Sequence, residues 1–337
     1  MGRGAGVREG VAARTESTTV DVVRVDFGGC LVQRVDGSLA RGRVRGRLMG
    51  PRKALGNAVV VGDRVTVEPI EGDPGDGEVV ITEVAPRRNA FRRRAVGRQP
   101  AEQVVAANLD QIVHVAACRE PLFSAGLADR VLCQAEHDGI PARLVLNKVD
   151  LERSDDTRES AEILKDYARA DYPGHAASGR TGRGVAELLE ACRGKRSLFV
   201  GHSGVGKSTL MNAMAPGLEL LEGRVNPKTG RGRHTTTAAW LLRVGEDLEM
   251  VDTPGVRAFG LWGVGPADLD RTYPEFRPWL GRCRFADCAH SGEPGCAVHG
   301  AVEEGHIARR RYASFLKLRA ELADEETGNP ARPREGS

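Results

Sequence analysis

Residues 201–208 read Gly201-His202-Ser203-Gly204-Val205-Gly206-Lys207-Ser208, a phosphate-loop pattern of the form Gly-x4-Gly-Lys-Ser. The apolar run 197–200 before it predicts a strand, and residues 209–214 after it, starting at Thr209, predict a helix. In that context the backbone N–H groups of the loop and the helix N-terminus bind phosphates. We expect Lys207 to reach the β- and γ-phosphates and the Ser208 hydroxyl to ligate Mg²⁺. The stretch therefore predicts a nucleotide-binding α/β domain.

Two further nucleotide motifs stand on either side of this loop, in an unusual order. Asn147-Lys148-Val149-Asp150 comes before it, and Asp252-Thr253-Pro254-Gly255 comes after it. In Ras-type GTPases the phosphate loop leads and the Asn-Lys-x-Asp motif trails. The order here therefore predicts a circular permutation, in which the Asp-x-x-Gly motif leads directly into the C-terminal region.

The Asn-Lys-x-Asp motif follows the predicted strand 142–146, where open α/β sheets bind nucleotides. A carboxylate at Asp150 accepts from both N1–H and N2–H₂ of guanine, a donor pair that adenine lacks. The loop 178–182 is expected to complete the base pocket through Ser178 and the backbone of Gly179. We therefore expect GTP and GDP as ligands. A P-loop ATPase is the alternative, which competition of ATP against labelled GTP tests.

Residues 232–237, Gly-Arg-His-Thr-Thr-Thr, lie between the two phosphate motifs and form the candidate switch I. Thr235 or Thr236 is expected to complete the Mg²⁺ shell when GTP is bound, and the spacing does not choose between them. Asp252 is expected to hold the ion through a water molecule.

Hydrolysis is expected to depend on Lys207 and on the Gly255 N–H, which would sense the γ-phosphate. Val256 stands where Ras-type enzymes have the glutamine that orients the attacking water, and valine cannot do this. Unassisted hydrolysis should therefore be slow. His234 is the candidate replacement, and a packing or RNA-facing histidine is the alternative.

The C-terminal region carries the spacing Cys-x4-Cys-x-His-x5-Cys, formed by Cys283, Cys288, His290 and Cys296. Three cysteines and one histidine supply a closed tetrahedral set, so the spacing predicts one structural Zn²⁺. His299 is a rival ligand to His290, and reduced cysteines without a metal are the alternative. A helix is predicted near 306–323.

Short β-type runs separated by turn signals fill the N-terminal part of the chain. They cover 20–25, 30–35, 59–61, 65–67 and 79–82, which predicts a small closed barrel of the OB type. Arg41, Arg43, Arg45 and Arg47 alternate with glycine and apolar residues, without an acid among them. On one strand, all four side chains would project from the same face. We interpret this face as a candidate RNA-binding surface, with a plain solvated face as the alternative.

The net charge and the lengths of the apolar runs indicate where the protein is located and which partners it has. The net charge is only +3, but the arginines cluster, and residues 86–103 are interpreted as a basic linker. No apolar run approaches the roughly 20 residues of a membrane helix, and no secretory signal is visible. We therefore expect a cytoplasmic monomer that does not bind membranes.

Together these motifs resemble the RsgA/YjeQ family of circularly permuted GTPases. The resemblance rests on the phosphate loop, on Gly-Arg-His-Thr-Thr-Thr, on Asp-Thr-Pro-Gly-Val and on the cysteine-histidine module, in this order, and spans about 20–322. It implies a bacterial factor that binds the 30S ribosomal subunit and 16S rRNA late in subunit maturation. It also implies GTP hydrolysis stimulated by the subunit, with His234 taking part. Gly179 stands where the family commonly has alanine, an exchange expected to hardly affect a backbone contact.

The predicted architecture is multidomain: a small OB-type β-barrel, a circularly permuted P-loop α/β GTPase domain and a C-terminal zinc-binding module with a helix. The predicted bounds are a disordered arm at 1–19, an OB-fold RNA-binding domain at 20–85, the basic linker at 86–103, the GTPase domain at 104–261, the zinc-binding domain at 262–325 and a disordered tail at 326–337. The rival hypothesis is a constitutive RNA-binding module with a vestigial nucleotide site. The intact Lys207, Ser208, Asp150 and Asp252 argue against it.

Overall fold

The computed structural model describes residues 17–26, 29–48, 57–70, 77–95, 101–216, 239–253 and 259–327. Most of the predicted arm and tail lie outside these ranges, as do His234, Thr235, Thr236, Gly255 and Val256. The strands are β1 (Thr18–Asp26), β2 (Gly29–Gln33), β3 (Leu39–Val44), β4 (Arg64–Pro69), β5 (Glu78–Val84), β6 (Ala90–Arg94), β7 (Glu102–Ala107), β8 (Gln111–Ala117), β9 (Ala142–Asn147), β10 (Gly174–Ala176), β11 (Lys195–Val200), β12 (Ala239–Val244) and β13 (Leu248–Asp252). The helices are α1 (Ala125–His137), α2 (Ser154–Ala168), α3 (Val185–Cys192), α4 (Lys207–Met214), α5 (Ala297–Glu303) and α6 (Arg309–Glu326), with 3-10 helices at Gly46–Leu48, Val149–Leu151, Leu269–Thr272 and Pro274–Trp279.

The first five strands form a closed barrel. Their order is β1-β2-β3-β5-β4, and the barrel closes because β4 also pairs with β1. The alternation along the strands buries Val22, Val32, Val65 and Ile81 completely in its interior. Gly42 is needed where strands approach most closely, since a Cβ there would lie 2.7 Å from the Cys30 Sγ. The predicted small barrel is confirmed.

Two strand predictions within the barrel are wrong. Residues 59–61 lie outside any strand, although all three valines are buried, because the Asp63 carboxylate accepts from the Val60 N–H at 2.8 Å and holds the chain where it turns at 61–62. The strand through the arginine row also ends early. β3 pairs with β5 only as far as Val44, so Arg45 follows the strand and Arg47 lies in a 3-10 helix. The first barrel strand also begins at Thr18, two residues before the predicted start of the barrel at residue 20.

The segment predicted as a basic linker contains an antiparallel ribbon of β6 and β7. Phe91 is fully buried in this ribbon and stacks on Phe259 with 5.5 Å between ring centroids. Arg92 pairs with Asp138 at 2.8 Å and with Glu102 at 2.9 Å. The linker interpretation is therefore wrong where the ribbon forms. Buried residues beside the arginines, such as Phe91, hold these segments in strands.

The next domain is built on a sheet in the order β10-β9-β8-β11-β13-β12. The first five of these strands are parallel, and β12 is antiparallel to β13. Every residue of β8 is buried, as expected for a strand covered on both faces. Helices α1 and α2 contribute to the core on one face, and α3 and α4 to the core on the other. The predicted α/β domain is confirmed, and the ends of β9, β11 and β13 bring its motifs to one edge.

The barrel continues directly into this sheet, because β12 also pairs with β1. Arg24 of β1 lies opposite Trp240 of β12, with its guanidinium 4.5 Å from the indole ring. Arg196 reinforces the junction, since it pairs with Glu249 at 2.7 Å and with Asp21 of the barrel at 3.5 Å. The two domains therefore share one eleven-stranded sheet.

The C-terminal region packs on α1 through α6 and the 3-10 helix Leu269–Thr272. Its largest fully buried side chain is Arg311 of α6, which donates to Asp129 of α1 and, at 2.7 Å, to Glu275. The Arg311 guanidinium also lies 4.5 Å from the Tyr273 ring. This cation is completely enclosed, so its carboxylate partners are what make its burial tolerable. Helix α6 extends to Glu326, slightly beyond the predicted domain boundary.

Candidate functional site

The phosphate loop connects β11 to α4 and passes close to the end of β8. Gly204 and Gly206 both have φ of +86°, a conformation that residues with side chains rarely adopt. A Cβ at Gly201 would lie 2.1 Å from the Val115 carbonyl oxygen. The glycines thus allow a tight loop whose backbone faces the N-terminus of α4, an arrangement suited to binding phosphate.

Lys207 begins α4, with its side chain buried behind the loop and its Nζ donating to the Gly201 carbonyl at 3.5 Å. Burial lowers the pKa of Lys207, and the Asp252 carboxylate opposes this shift. Asp252 ends β13 in register with Phe199 of β11. The Ser208 hydroxyl follows Lys207 in the chain, so hydroxyl and carboxylate oxygens of the kind that Mg²⁺ prefers flank the loop.

Asn147 joins the base motif to the phosphate loop. Its buried side chain donates from Nδ2 to the Val205 carbonyl at 2.9 Å and accepts at Oδ1 from the Gly179 N–H at 3.1 Å. A Cβ at Gly179 would lie 2.7 Å from the Leu210 Cα. The glycine at this position therefore has a packing reason, close approach to α4, that the sequence analysis did not anticipate.

Asp150 is held by two side chains of the loop 178–182. The Ser178 Oγ–H donates to Oδ1 at 2.5 Å, and the Arg180 Nε–H donates to Oδ2 at 2.7 Å. The hydrogen bond from Ser178, followed by that from Arg180, lowers the pKa of Asp150 despite its partial desolvation. The carboxylate is therefore ionised and oriented, as a guanine acceptor must be.

The cysteine-histidine set is also brought together. The ligand atoms of Cys283, Cys288, His290 and Cys296 all lie within 4.8 Å of one another. The His290 Nδ1 lies 3.5 Å from the Sγ atoms of both Cys283 and Cys296. His299, the rival ligand, instead contacts the Tyr312 ring. Three thiol sulfurs and one imidazole nitrogen at this spacing fit a tetrahedral metal ion.

Comparison with known proteins decides the family. The sequence profile described as RsgA GTPase matches residues 84–262. Proteins named small ribosomal subunit biogenesis GTPase RsgA from Gemmatimonas aurantiaca and Chlorobaculum tepidum are 42% and 40% identical, over 91% and 90% of this chain and 98% and 97% of theirs. The chain belongs to the RsgA GTPase family. It is therefore a GTP hydrolase.

Solved structures agree with this family and with the permuted order. YjeQ from Thermotoga maritima matches with a TM-score of 0.71 and 33% identity, over 91% of this chain and 99% of its own. YloQ, described as a circularly permuted GTPase, matches with a TM-score of 0.67 and 25% identity, over 97% and 100%. The RsgA profile begins at residue 84, so it includes the whole β6–β7 ribbon, of which β6 and the start of β7 lie before the predicted domain boundary at 104. Within the described residues, no helix combines the length and apolar character needed to cross a bilayer.

The candidate RNA-binding arginines of this RsgA-family chain do not form the acid-free row that the sequence suggests. Arg41 and Arg43 are exposed on β3, but Arg43 pairs with Glu78 at 2.5 Å and Arg45 pairs with Glu68 at 2.7 Å. Glu78 comes from β5, which pairs with β3, and Glu68 comes from β4, on the far side of β5. The side chain of Arg47 lies outside the described part of the chain.

Sequence reasoning missed two residues near the nucleotide site. His114 of β8 is almost completely buried, and burial, with a further contribution from Lys207, lowers its pKa to about 4. His114 is therefore neutral at physiological pH. The sequence feature that could have identified it is a single basic residue within the mostly apolar run 109–117. Arg180 was recognised as part of the base loop, but its contact with Asp150 was not foreseen.

The cysteine-histidine cluster has a carboxylate behind it, which gives a testable prediction. The His290 Nε2 lies 3.4 Å from Asp270, so Nε2–H can donate to this carboxylate while Nδ1 faces the cysteines. Such partners fix the tautomer and orientation of a ligating histidine, and losing one typically weakens metal affinity about 10- to 100-fold. We expect this loss for Asp270→Asn, measured by zinc transfer to a chromogenic chelator. Asp268→Asn, on an exposed neighbouring residue, is the control; equal zinc affinity in the two variants contradicts the prediction.

Proposed function

We propose that this RsgA-family GTPase is a monomeric, cytoplasmic factor that binds the 30S subunit late in its maturation. There it hydrolyses GTP with stimulation by the subunit. The observation that carries the proposal is the side chain of Asn147, which joins the base-reading loop and the phosphate loop into one site. The relatives are named as small ribosomal subunit biogenesis GTPases, which supports the subunit as the partner.

Each group of the proposed site contributes one part of GTP binding. Asp150 accepts from guanine, with Asn147, Lys148, Ser178 and Gly179 shaping the base pocket. The backbone of the loop 201–206, Lys207 and the first turn of α4, including Ser208 and Thr209, hold the phosphates. Mg²⁺, held by Ser208, by Thr235 or Thr236 and through water by Asp252, would neutralise charge on the phosphate oxygens.

Hydrolysis is the step for which this chain needs its partner. The Gly255 N–H is proposed to contact the γ-phosphate, and Val256 cannot orient the attacking water. His234 is the candidate for that role. Because valine at position 256 cannot orient the attacking water, the subunit is proposed to complete the catalytic arrangement.

Two surfaces are proposed to contact 16S rRNA. On the barrel, Arg41 and Arg43 are exposed on β3 and are proposed to face the RNA, with Arg43 paired to Glu78. Beside the metal cluster, Phe285 is exposed, with the Arg284 guanidinium 5.5 Å from its ring. An exposed aromatic ring with an adjacent arginine suits stacking on unpaired bases. One structural Zn²⁺ on Cys283, Cys288, His290 and Cys296 is proposed to hold this second surface in shape.

The rate of GTP turnover with and without purified 30S subunits tests the proposal. We expect stimulation of at least about tenfold, which corresponds to about 1.4 kcal/mol of transition-state stabilisation. Purified 50S subunits are the control for ribosomal RNA in general, and Lys207→Ala controls for a contaminating GTPase. A rate that 30S subunits leave unchanged contradicts the coupling, even if basal hydrolysis is seen.

A further inference from the structure

The guanidinium of Arg180 lies on the carboxylate that is proposed to read the base. Its Nε–H donates to the Asp150 Oδ2 at 2.7 Å, and its Nη2 contacts the same oxygen. The Ser178 hydroxyl donates to the other oxygen at 2.5 Å. Asp150 thus accepts three side-chain contacts, two of them from a planar, two-pronged group.

These contacts leave too few free acceptor positions on the Asp150 carboxylate for both donors of guanine. An ionised carboxylate offers about four acceptor positions. Guanine brings two donors, N1–H and N2–H, which together with the three contacts to Asp150 exceed that number. Ser178 cannot be the group that withdraws, because it is completely buried and its Oγ also accepts from the Thr181 N–H at 3.1 Å. At least one contact from Arg180 must therefore be given up when guanine binds.

Arg180 is able to withdraw. Its side chain is 69% exposed, whereas that of Asp150 is 10% exposed. An exposed ion pair of this kind is worth only about a 1.5- to 5-fold factor in an equilibrium constant. Gly182, two positions later, has φ of +81° and nothing within 4 Å of the position that a Cβ would take, so little on that side resists a rotation of the Arg180 side chain.

We propose that Arg180 competes with guanine for Asp150 and thereby sets the affinity and the base selectivity of the GTP site. The inference rests on the proposed GTP site. Arg180 acts as a specificity-determining residue: like guanine, its guanidinium presents two N–H donors to the Asp150 carboxylate.

Base selectivity distinguishes competition from a general charge effect. Hypoxanthine, the base of ITP, lacks the N2 amino group and needs only one acceptor position on Asp150. ITP can therefore bind while Arg180 keeps more of its contact. Removal of Arg180 should consequently favour GTP and GDP over ITP, and it should favour GTP and GDP equally because the contact is at the base.

The test is titration calorimetry of GTP, GDP and ITP on the full-length protein, its Arg180→Ala variant and its Arg183→Ala variant. Arg183 is exposed in the same loop and makes no ion pair among the described residues, so its variant loses the same charge without touching Asp150. For Arg180→Ala we expect about two- to fivefold tighter binding of GTP and GDP, with ITP changed by less than a factor of about 1.5. Arg183→Ala should show no gain for any nucleotide.

Three results would have different meanings. Unchanged or weaker GTP binding by Arg180→Ala, with Arg183→Ala as wild type, overturns the competition. An equal gain for GTP and ITP also overturns it, because competition acts through the N2 amino group. A wild-type protein that binds no guanine nucleotide contradicts the proposed function itself. Thermal unfolding of both variants verifies folding, and Arg180→Lys, which keeps the charge but not the two-pronged donor, should lie between wild type and Arg180→Ala.

Discussion

Asp150→Asn is expected to replace the preference for guanine by a preference for xanthine. The asparagine amide has one acceptor oxygen and one donor NH₂ group, so the N2 amino group of guanine would face another donor. Xanthine carries a carbonyl oxygen at that position and can accept from the amide. We expect GTP affinity to fall by about 10²- to 10³-fold, or roughly 3–4 kcal/mol, while XTP becomes a ligand. Titration calorimetry with each triphosphate measures both changes.

A gain of XTP binding separates this effect from misfolding, because a disrupted site would lose both nucleotides. The matched control is Glu152→Gln, which removes one negative charge two positions along the chain. It should bind GTP within about twofold of wild type, since Glu152 is half-buried but makes no ion pair among the described residues. If Asp150→Asn bound GTP as tightly as Glu152→Gln does, the assignment of Asp150 as the base-reading carboxylate would be wrong.

Arg311→Met is expected to have the largest effect on stability. The side chains of Arg311 and its partner Asp129 are completely buried. The side chain of its other partner, Glu275, is almost completely buried. Burial alone would lower the pKa of Arg311, but the two carboxylates raise it well above its usual value, so the guanidinium remains charged. Methionine would leave two carboxylates without their cation. Breaking such a buried pair typically costs 3–5 kcal/mol, and we expect a loss of about that size in chemical denaturation.

Arg309→Met provides the control on the same helix. Its side chain is 77% exposed and only loosely paired, so the loss should stay below about 0.5 kcal/mol. Adding Asp129→Asn to Arg311→Met should restore part of the stability, because it removes one unpaired charge while the amide still accepts from the Tyr167 hydroxyl. Similar losses for the Arg311 and Arg309 variants would show that the buried pair does not hold the C-terminal region on α1.

The segments that carry the motifs were predictable from the sequence. The predicted strand 142–146 is β9, the run 197–200 lies in β11, and the predicted helix 209–214 lies in α4. Strands covered on both faces need continuous apolar runs, and here each run ends at a polar motif. Local sequence therefore defined both the strand and the end at which its functional residues lie.

The pairing of arginines was not predictable, because their partners are distant in the chain. Arg92 meets Asp138, and Arg311 meets Asp129 and Glu275. A basic segment read along the sequence therefore does not tell whether its charges are exposed or neutralised.

The same holds for the choice between two candidate metal ligands. Tyr312 donates its hydroxyl to the His290 carbonyl at 2.8 Å, and its ring contacts His299. Packing by a residue of α6 thus places His290 toward the cysteines and His299 away from them. Spacing alone could not have distinguished the two.

The route from the Asp-x-x-Gly motif to the C-terminal region is also less direct than the motif order suggests. Where the described chain resumes, Phe259 stacks on Phe91 of the β6–β7 ribbon. The Trp262 N–H then donates to the Gln134 Oε1 of α1 at 2.8 Å. A displacement of the chain after Asp252 would therefore act on the ribbon and α1 before it reached the cysteine-histidine cluster.

The pairing of β12 with β1 covers a strand edge that could otherwise pair with other molecules. Among the described strands of the GTPase domain, β12 pairs with β13 alone, and the barrel strand β1 covers part of its other edge. A polypeptide cut between the two domains would expose that edge, including Trp240, and unpaired strand edges recruit strands from other molecules. Pairing with the barrel is therefore expected to protect this edge of the GTPase domain from aggregation. Such shielding favours the inheritance of the two domains as one piece.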